Sequence, residues 1–191
     1  MSETQRASLA SLLQSYAPAD AREAGHQRRM LELVQSASDP FARTSFDPGH
    51  FTASAFIVSP KDASILLVFH GKLKKWLQPG GHVDPSDADI FAAARRETLE
   101  ETGVALDPND DDLLFDLDVH LIPSRAHEPA HEHFDVRTLW LSNREEVRAG
   151  SDALEVRWHP IDELAGENLD ESLGRALRKL RSGLFPPPAR R

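Results

Sequence analysis

Apolar residues recur along the chain with two different periods. Near the start, Leu9, Leu12 and Leu13 stand at i, i+3, i+4. Met30, Leu31 and Val34 follow on a second segment that starts near Asp20. This spacing puts one apolar stripe on each of two helices. Asp39-Pro40 and Asp47-Pro48-Gly49 then break the pattern. From His50 to Ser59 β-branched and aromatic residues take over. Pro60-Lys61-Asp62 reads as a turn, and Ser64 to His70 as the returning strand of a hairpin. Gln78 to Asp87 reads as a Gly/Pro/Asp loop. A helix is predicted over Asp89–Thr102, with Ser86, Asp87 or Asp89 as N-cap and Gly103 as its stop. Strands follow at 113–122 and 134–141, separated by the polar, His-rich segment Pro123–His133. A strand at 154–159, a short helical turn from Pro160 and an amphipathic helix over 170–182 complete the pattern. Residues 184–191, with Pro186-Pro187-Pro188 and Arg190-Arg191, read as a frayed tail.

Composition narrows the field. The 191 residues carry 22 Lys+Arg and 31 Asp+Glu, a formal charge of −9. No Lys/Arg-rich run offers a track for a phosphate backbone, which argues against nucleic acid as a partner. No apolar run is long enough for a bilayer span, and Glu3, Ser8 and Ser11 interrupt the N-terminal apolar stretch, so neither a membrane partner nor a signal peptide is expected. A cytoplasmic location is the expectation. The absence of Cys excludes a disulfide scaffold, a thiolate zinc site and a cysteine nucleophile.

The chemistry concentrates in Gly80-Gly81-His82-Val83-Asp84 and in Arg95-Arg96-Glu97-Thr98-Leu99-Glu100-Glu101-Thr102-Gly103-Val104. Glu97, Glu100 and Glu101 stand at i, i+3, i+4 and occupy an arc of roughly 100° on one helix face. Three like charges so placed destabilise an isolated helix. They make sense where a hard divalent cation, Mg²⁺ or Mn²⁺, neutralises them through oxygen ligands. Arg96 lies on the flank of the arc, where its planar fork can orient a carboxylate. Gly80 and Gly81 permit a close backbone approach to a metal or phosphate.

These residues resemble the signature of the Nudix hydrolases: Gly, five residues, Glu, seven residues, Arg-Glu, an apolar residue, any residue, Glu-Glu, any residue, Gly, apolar. Gly81, Arg96-Glu97, Glu100-Glu101 and Gly103-Val104 fit it. Thr98 replaces the usual apolar residue, and the stretch from Gly81 to Arg96 is one residue too long. The extra residue falls after Asp87, and the first carboxylate is Asp87, Asp84 or Asp89. The resemblance implies an α/β fold, a Nudix-type α/β/α sandwich with a mixed sheet, over residues 46–183. An N-terminal helical extension, residues 1–45, precedes it.

The resemblance further implies a pyrophosphohydrolase that cleaves the diphosphate linkage of a nucleoside diphosphate joined to another group, with Mg²⁺ or Mn²⁺ as cofactor. Its metal ligands would be Glu97, Glu100, Glu101 and the Gly81 carbonyl. Arg96 would hold the carboxylates, and Glu97 or a loop acid would be the base. His82, Asp87, His131, Glu132 and His133 are candidates for substrate contact. A non-catalytic module sensing a nucleotide or ADP-ribose is the alternative. A homodimer and a monomer are both open. Isopentenyl diphosphate isomerase, a relative with a catalytic Cys, is excluded by the absence of Cys.

Three other features need placing. His127-Glu128-Pro129-Ala130-His131 matches the zinc-protease string, but Pro129 inside the helix that this chemistry needs would cost about 3 kcal/mol. His131, His133 and Asp135 share one face at strand spacing. There they line the substrate cleft or supply an extra metal ligand through Glu132, or else form a solvent-exposed polar loop running into a strand. His50, His70 and His82 read as hydrogen-bonded loop residues, and Trp76, Trp140 and Trp158 as core or cleft wall.

Overall fold

In a computed structural model the chain is described over residues 3–107, 112–125, 128–142, 146–150, 153–164, 169 and 171–182. The expected tail at 184–191 lies outside them, as does His127. Helices α1 (Glu3–Ser15) and α2 (Ala21–Ser36) come first. Asp20 caps α2 by accepting from the Glu23 amide at 2.8 Å. The strands are β1 (Gly49–Ser59), β2 (Ser64–His70), β3 (Lys75–Leu77), β4 (Gly80–His82), β5 (Leu113–Ile122), β6 (His131–Leu141) and β7 (Ala153–Pro160). Helix α3 (Ile90–Thr102) follows β4, a 3₁₀ turn spans Ile161–Glu163, and α4 (Glu171–Arg181) ends the described chain. Among the described residues no helix is long and apolar enough to cross a membrane.

The sheet is mixed. Its main order is β3-β2-β1-β6-β5, with β4 also on β1 and β7 on β2. β1 and β2 form the expected antiparallel hairpin, whereas β1 and β6 run parallel, with His50 opposite His133 and Thr52 opposite Asp135. Two expectations need correction. The Gln78–Asp87 segment is not all loop, because Gly80–His82 pairs antiparallel with Thr52–Ser54. Strand β6 begins at His131 rather than residue 134, so the end of the His-rich segment belongs to the sheet.

Alternation along β1 sorts its side chains between two layers. Phe51, Ala53, Ala55 and Ile57 enter a core shared with Leu9 and Leu13 of α1, Met30, Leu33 and Val34 of α2, and Ile90, Ala93 and Ala94 of α3. On the other face Phe56 and Val58 pack with Leu173, Ala176, Leu177 and Leu180 of α4. The sheet therefore lies between two helical layers, and the N-terminal helices share the core that supports α3. Trp140 is buried in that core, and Trp158 packs against it.

The α4-side face also buries charge. Arg137 reaches Asp135 at 2.8 Å, Asp116 at 3.2 Å and Asp118 at 3.3 Å, while Arg175 from α4 grips Asp116 through two nitrogens at 2.5 and 2.7 Å. A β-bulge between Leu114 and Asp116 shifts the β5 register so that Asp116, Asp118 and His120 stand opposite Arg137, Asp135 and His133. Burial by itself would raise the Asp118 carboxyl. The hydrogen bond to His120 and the charge of Arg137 outweigh it and hold the group well below the ordinary carboxylate range.

Removing one member of such a network strands buried charge. Asp118→Asn is expected to cost about 3–5 kcal/mol at pH 7 in urea unfolding. The sign of the pH dependence follows from the depressed carboxyl: its contribution is complete above the unfolded value of about 3.9 and fades as pH falls below it. The gap between wild type and variant should therefore narrow in acid.

Candidate active site

Helix α3 sits where its ends dictate. Asp89 accepts from the Ala92 amide at 2.7 Å and is the N-cap among the three candidates. Gly103 takes φ 72°, a left-handed C-cap, and its amide bonds the Leu99 carbonyl at 3.0 Å. Thr98 is fully buried in the slot usually held by an apolar residue, and its hydroxyl donates to the Ala94 carbonyl at 2.8 Å. That internal bond lets a polar residue occupy the core face.

Arg96 organises the acids. Its Nε and Nη2 reach the two oxygens of Asp87 at 3.0 and 2.9 Å, a fork-on-carboxylate pair. Its Nη1 donates to Glu97 at 2.8 Å and to Glu100 at 3.2 Å, and Nη2 also donates to the His82 carbonyl at 2.9 Å. Of the three loop acids it is Asp87 that reaches Arg96. Asp84 instead accepts from the Ser86 amide and hydroxyl, and Asp89 caps the helix. The extra residue is absorbed between Asp87 and the start of α3. Both oxygens of Asp87 face Arg96, one also accepts the Asp84 amide, and the residue is buried.

Two of the three glutamates, Glu97 and Glu101, face β4. A Cβ added to Gly81 would lie 2.7 Å from the Glu97 carboxylate, so a side chain here would push Glu97 off this backbone. The Gly80 amide donates to Glu101 at 3.0 Å. Glu97 and Glu101 are half-buried, whereas Glu100 is exposed. Burial raises the Glu97 carboxyl above its ordinary value; Arg96 opposes this, and the charges of Glu100 and Asp87 add to it.

The histidines form a second group, on the opposite side of β4. Gly81 presents its α-carbon to α3, so its strand neighbour His82 points the other way. There it meets His50 and His133, with ring centroids at 5.1 and 5.3 Å. His131 lies 5.2 Å from His133, and His120 lies 5.7 Å from it. None of His50, His70 and His82 is a loop residue: His50 is a fully buried strand residue, and His70 and His82 end their strands. Burial pushes His82 down to about 4 and also lowers His50 and His133, the neighbouring imidazoles acting in the same direction. Glu132 stands apart from the histidines. It points to the other face of β6 and pairs with Arg29 of α2, away from His131 and His133. Of the zinc-protease string, Glu128–His131 lie on no helix: Glu128 forms a β-bridge with Arg125, and His131 starts β6; His127 lies outside the described residues.

Two residues of this region escaped sequence reasoning. His50 and His120 are far from the box in sequence, and only the β1–β6 and β5–β6 registers bring them to His133. The usable signal was period-two polarity within an otherwise apolar strand, as in His50, Thr52 and Ser54.

Residues 48–180 match the family model described as NUDIX domain. No curated protein matches the chain. Among solved structures it is similar to the MutT NUDIX hydrolase from Burkholderia pseudomallei, with TM-score 0.54 and 24% identity over 68% of this chain and 96% of that one. It is similar to the NUDIX domain of Shewanella oneidensis NrtR complexed with ADP ribose, with TM-score 0.53 and 22% identity over 71% and 88%. It is also similar to a C. elegans Ap4A hydrolase, with TM-score 0.50 and 20% identity over 71% and 98%. At these identities the likeness is one of fold.

Arg96→Met leaves the buried Asp87 carboxylate without its cation. The side chain of Arg96 is 27% exposed, which moderates the penalty. Urea unfolding should show a loss of about 2–3 kcal/mol. Arg96→Lys should recover only part of it, because an ammonium cannot span both Asp87 oxygens.

Proposed function

The chain belongs to the Nudix family of hydrolases, and on that premise we propose that it cleaves the diphosphate linkage of a nucleoside diphosphate joined to another group, with Mg²⁺ or Mn²⁺ as cofactor. The observation that carries this reading is the closure of the box around its extra residue: Asp87 still reaches Arg96, and Glu97 and Glu101 still meet Gly81 and Gly80.

The residues suit a hard cation. Asp87, Glu97 and Glu100 share the single charge of Arg96, and Glu101 stands beside them. A divalent ion with oxygen ligands would compensate this surplus of carboxylate. Glu97, Glu100, Glu101 and the Gly81 backbone would hold it. Such an ion neutralises phosphate charge and lowers the pKa of a bound water.

The remaining work falls to the chain itself. Arg96, locked on Asp87, orients Glu97 and Glu100. Glu97 or a loop acid would take the proton of the attacking water. A sensing module without turnover would bind the same class of ligand, and product analysis separates the two.

A panel of nucleoside diphosphate derivatives, assayed for released phosphomonoester, tests the proposal. Hydrolysis should stop in excess EDTA and return with Mg²⁺ or Mn²⁺; full activity in EDTA, or binding with no product from any substrate, refutes it. Glu101→Gln keeps the shape but removes one anionic ligand. The variant's kcat/KM should fall by orders of magnitude. Its thermal midpoint in EDTA should stay level or rise, because i, i+4 repulsion with Glu97, worth about 0.2–0.5 kcal/mol, is relieved. A variant that loses activity because the metal-free protein unfolds would make Glu101 structural instead.

A further inference from the structure

We infer that His50, His82 and His133 form a binding site for an imidazole-preferring transition-metal ion such as Zn²⁺, separate from the glutamate site on α3. Among the described residues this is the one group of three ligating side chains with a donor atom each, all within 4.8 Å of one another. The register places them. His50 faces His133 across the parallel β1–β6 pair, and His82 stands opposite Thr52, two residues along β1 from His50. Three strands of one sheet hold the donors, so the cluster is set by backbone hydrogen bonds rather than by loops.

His50 gives the clearest sign of a ligand. It is fully buried, and its Nδ1 sits 3.0 Å from the Ser45 carbonyl, a contact that requires the proton on Nδ1. Its Nε2 is then a bare lone pair, and among the described residues that atom has no hydrogen-bond partner. A buried acceptor without a partner is costly. A ring whose other nitrogen donates to a carbonyl is the usual state of a metal-bound histidine. His131 stands beside the trio, with both ring nitrogens partnered. Its Nδ1 lies 2.8 Å from the Pro129 carbonyl, and its Nε2 lies 3.3 Å from Nε2 of His133.

The donor chemistry selects the ion. The trio contains no carboxylate. Asp135, next along the same face, accepts from Thr52, Ser54 and Arg137. Glu132 pairs with Arg29 on the other face. An all-imidazole set favours Zn²⁺, Co²⁺, Ni²⁺ or Cu²⁺ over Mg²⁺ or Mn²⁺. Zn–N bonds of about 2.0–2.1 Å place neighbouring nitrogens about 3.3 Å apart in a tetrahedron. The three donors therefore need to close by no more than about 1.5 Å. His82 and His133 are only partly buried, which leaves the ion a way in.

The test uses the full chain stripped with chelator, then titrated with Zn²⁺ against a chromogenic competitor and with Co²⁺ as a spectroscopic probe. We expect one tight Zn²⁺ per chain, visible Co²⁺ bands indicating nitrogen ligands, and a rise in thermal midpoint on adding Zn²⁺. His82→Asn and His133→Asn should each weaken Zn²⁺ at least about 100-fold, on the scale of losing a metal-shell interaction. Glu97→Gln/Glu101→Gln should leave it unchanged. Urea unfolding in chelator guards against a misfolded variant, and His82→Asn, at the half-buried rim, is the substitution best tolerated. Zn²⁺ affinity that survives both histidine variants overturns the inference. So does affinity lost with the glutamates, because the ion then belongs to the α3 site. Hydrolysis that fails on every substrate would sink the proposed activity and leave the Zn²⁺ titration standing.

Discussion

β1 constrains everything else. All eleven of its residues are buried, and it pairs with β2 and β4 on one side and β6 on the other. A strand so enclosed cannot slip by one residue, since a slip would carry Phe51, Ala53, Ala55 and Ile57 to the polar face and His50, Thr52 and Ser54 into the apolar core. Holding its register fixes β4, and β4 separates two chemistries. Gly81 offers bare backbone to Glu97 on the α3 side. His82, one residue on, turns its ring toward His50 and His133. Three residues of edge strand thus serve as floor for one cluster and wall for the other.

The acidic side is then held by a single guanidinium. Three carboxylates on one helix face repel, and a bare helix would not keep them together. Arg96 offsets part of this by bonding Glu97 and Glu100, and it is held in turn by Asp87 and the His82 carbonyl. The loop and the helix are tied at that point, so the separation of Glu97 from Gly81 is a property of the tertiary structure rather than of a flexible rotamer. The N-terminal helices reinforce it from below, because Leu9, Leu13, Met30 and Val34 fill the core on which Ala93 and Ala94 of α3 rest.

What the sequence disclosed and what it hid divide along local and non-local lines. The β1–β2 hairpin, the helix α3 with its stop at Gly103, and the place of Arg96 beside the helix carboxylates were all legible, because each is fixed by residues within about one turn or one tight loop. The choice among Asp84, Asp87 and Asp89 was not, since each is a sound capping or turn residue and only the folded loop shows which reaches Arg96. β4 was missed because Gly80-Gly81-His82 has no strand propensity; it is a strand only because β1 supplies the hydrogen bonds. His50 was misplaced for the same reason. Its partner His133 is a long way along the chain, and parallel pairing leaves no turn from which to read the register.

Buried polarity is where local patterning fails most completely, and it is also where this fold is most specific. Asp116, Asp118, Asp135, Arg137 and Arg175 are residue types expected at the surface, yet each is buried on the α4 side of the sheet. They are tolerable there because every carboxylate meets a guanidinium. The same face continues from Asp118 and Asp135 to His120 and His133 across the β5–β6 pair. Along that stripe the compensation changes. The aspartates have cations in the chain itself, whereas His50, at the far end, keeps a buried nitrogen with no partner among the described residues. The carboxylates of the row are thus answered from within the fold, and the imidazole at its end is the place where the metal ion inferred above would complete the pattern.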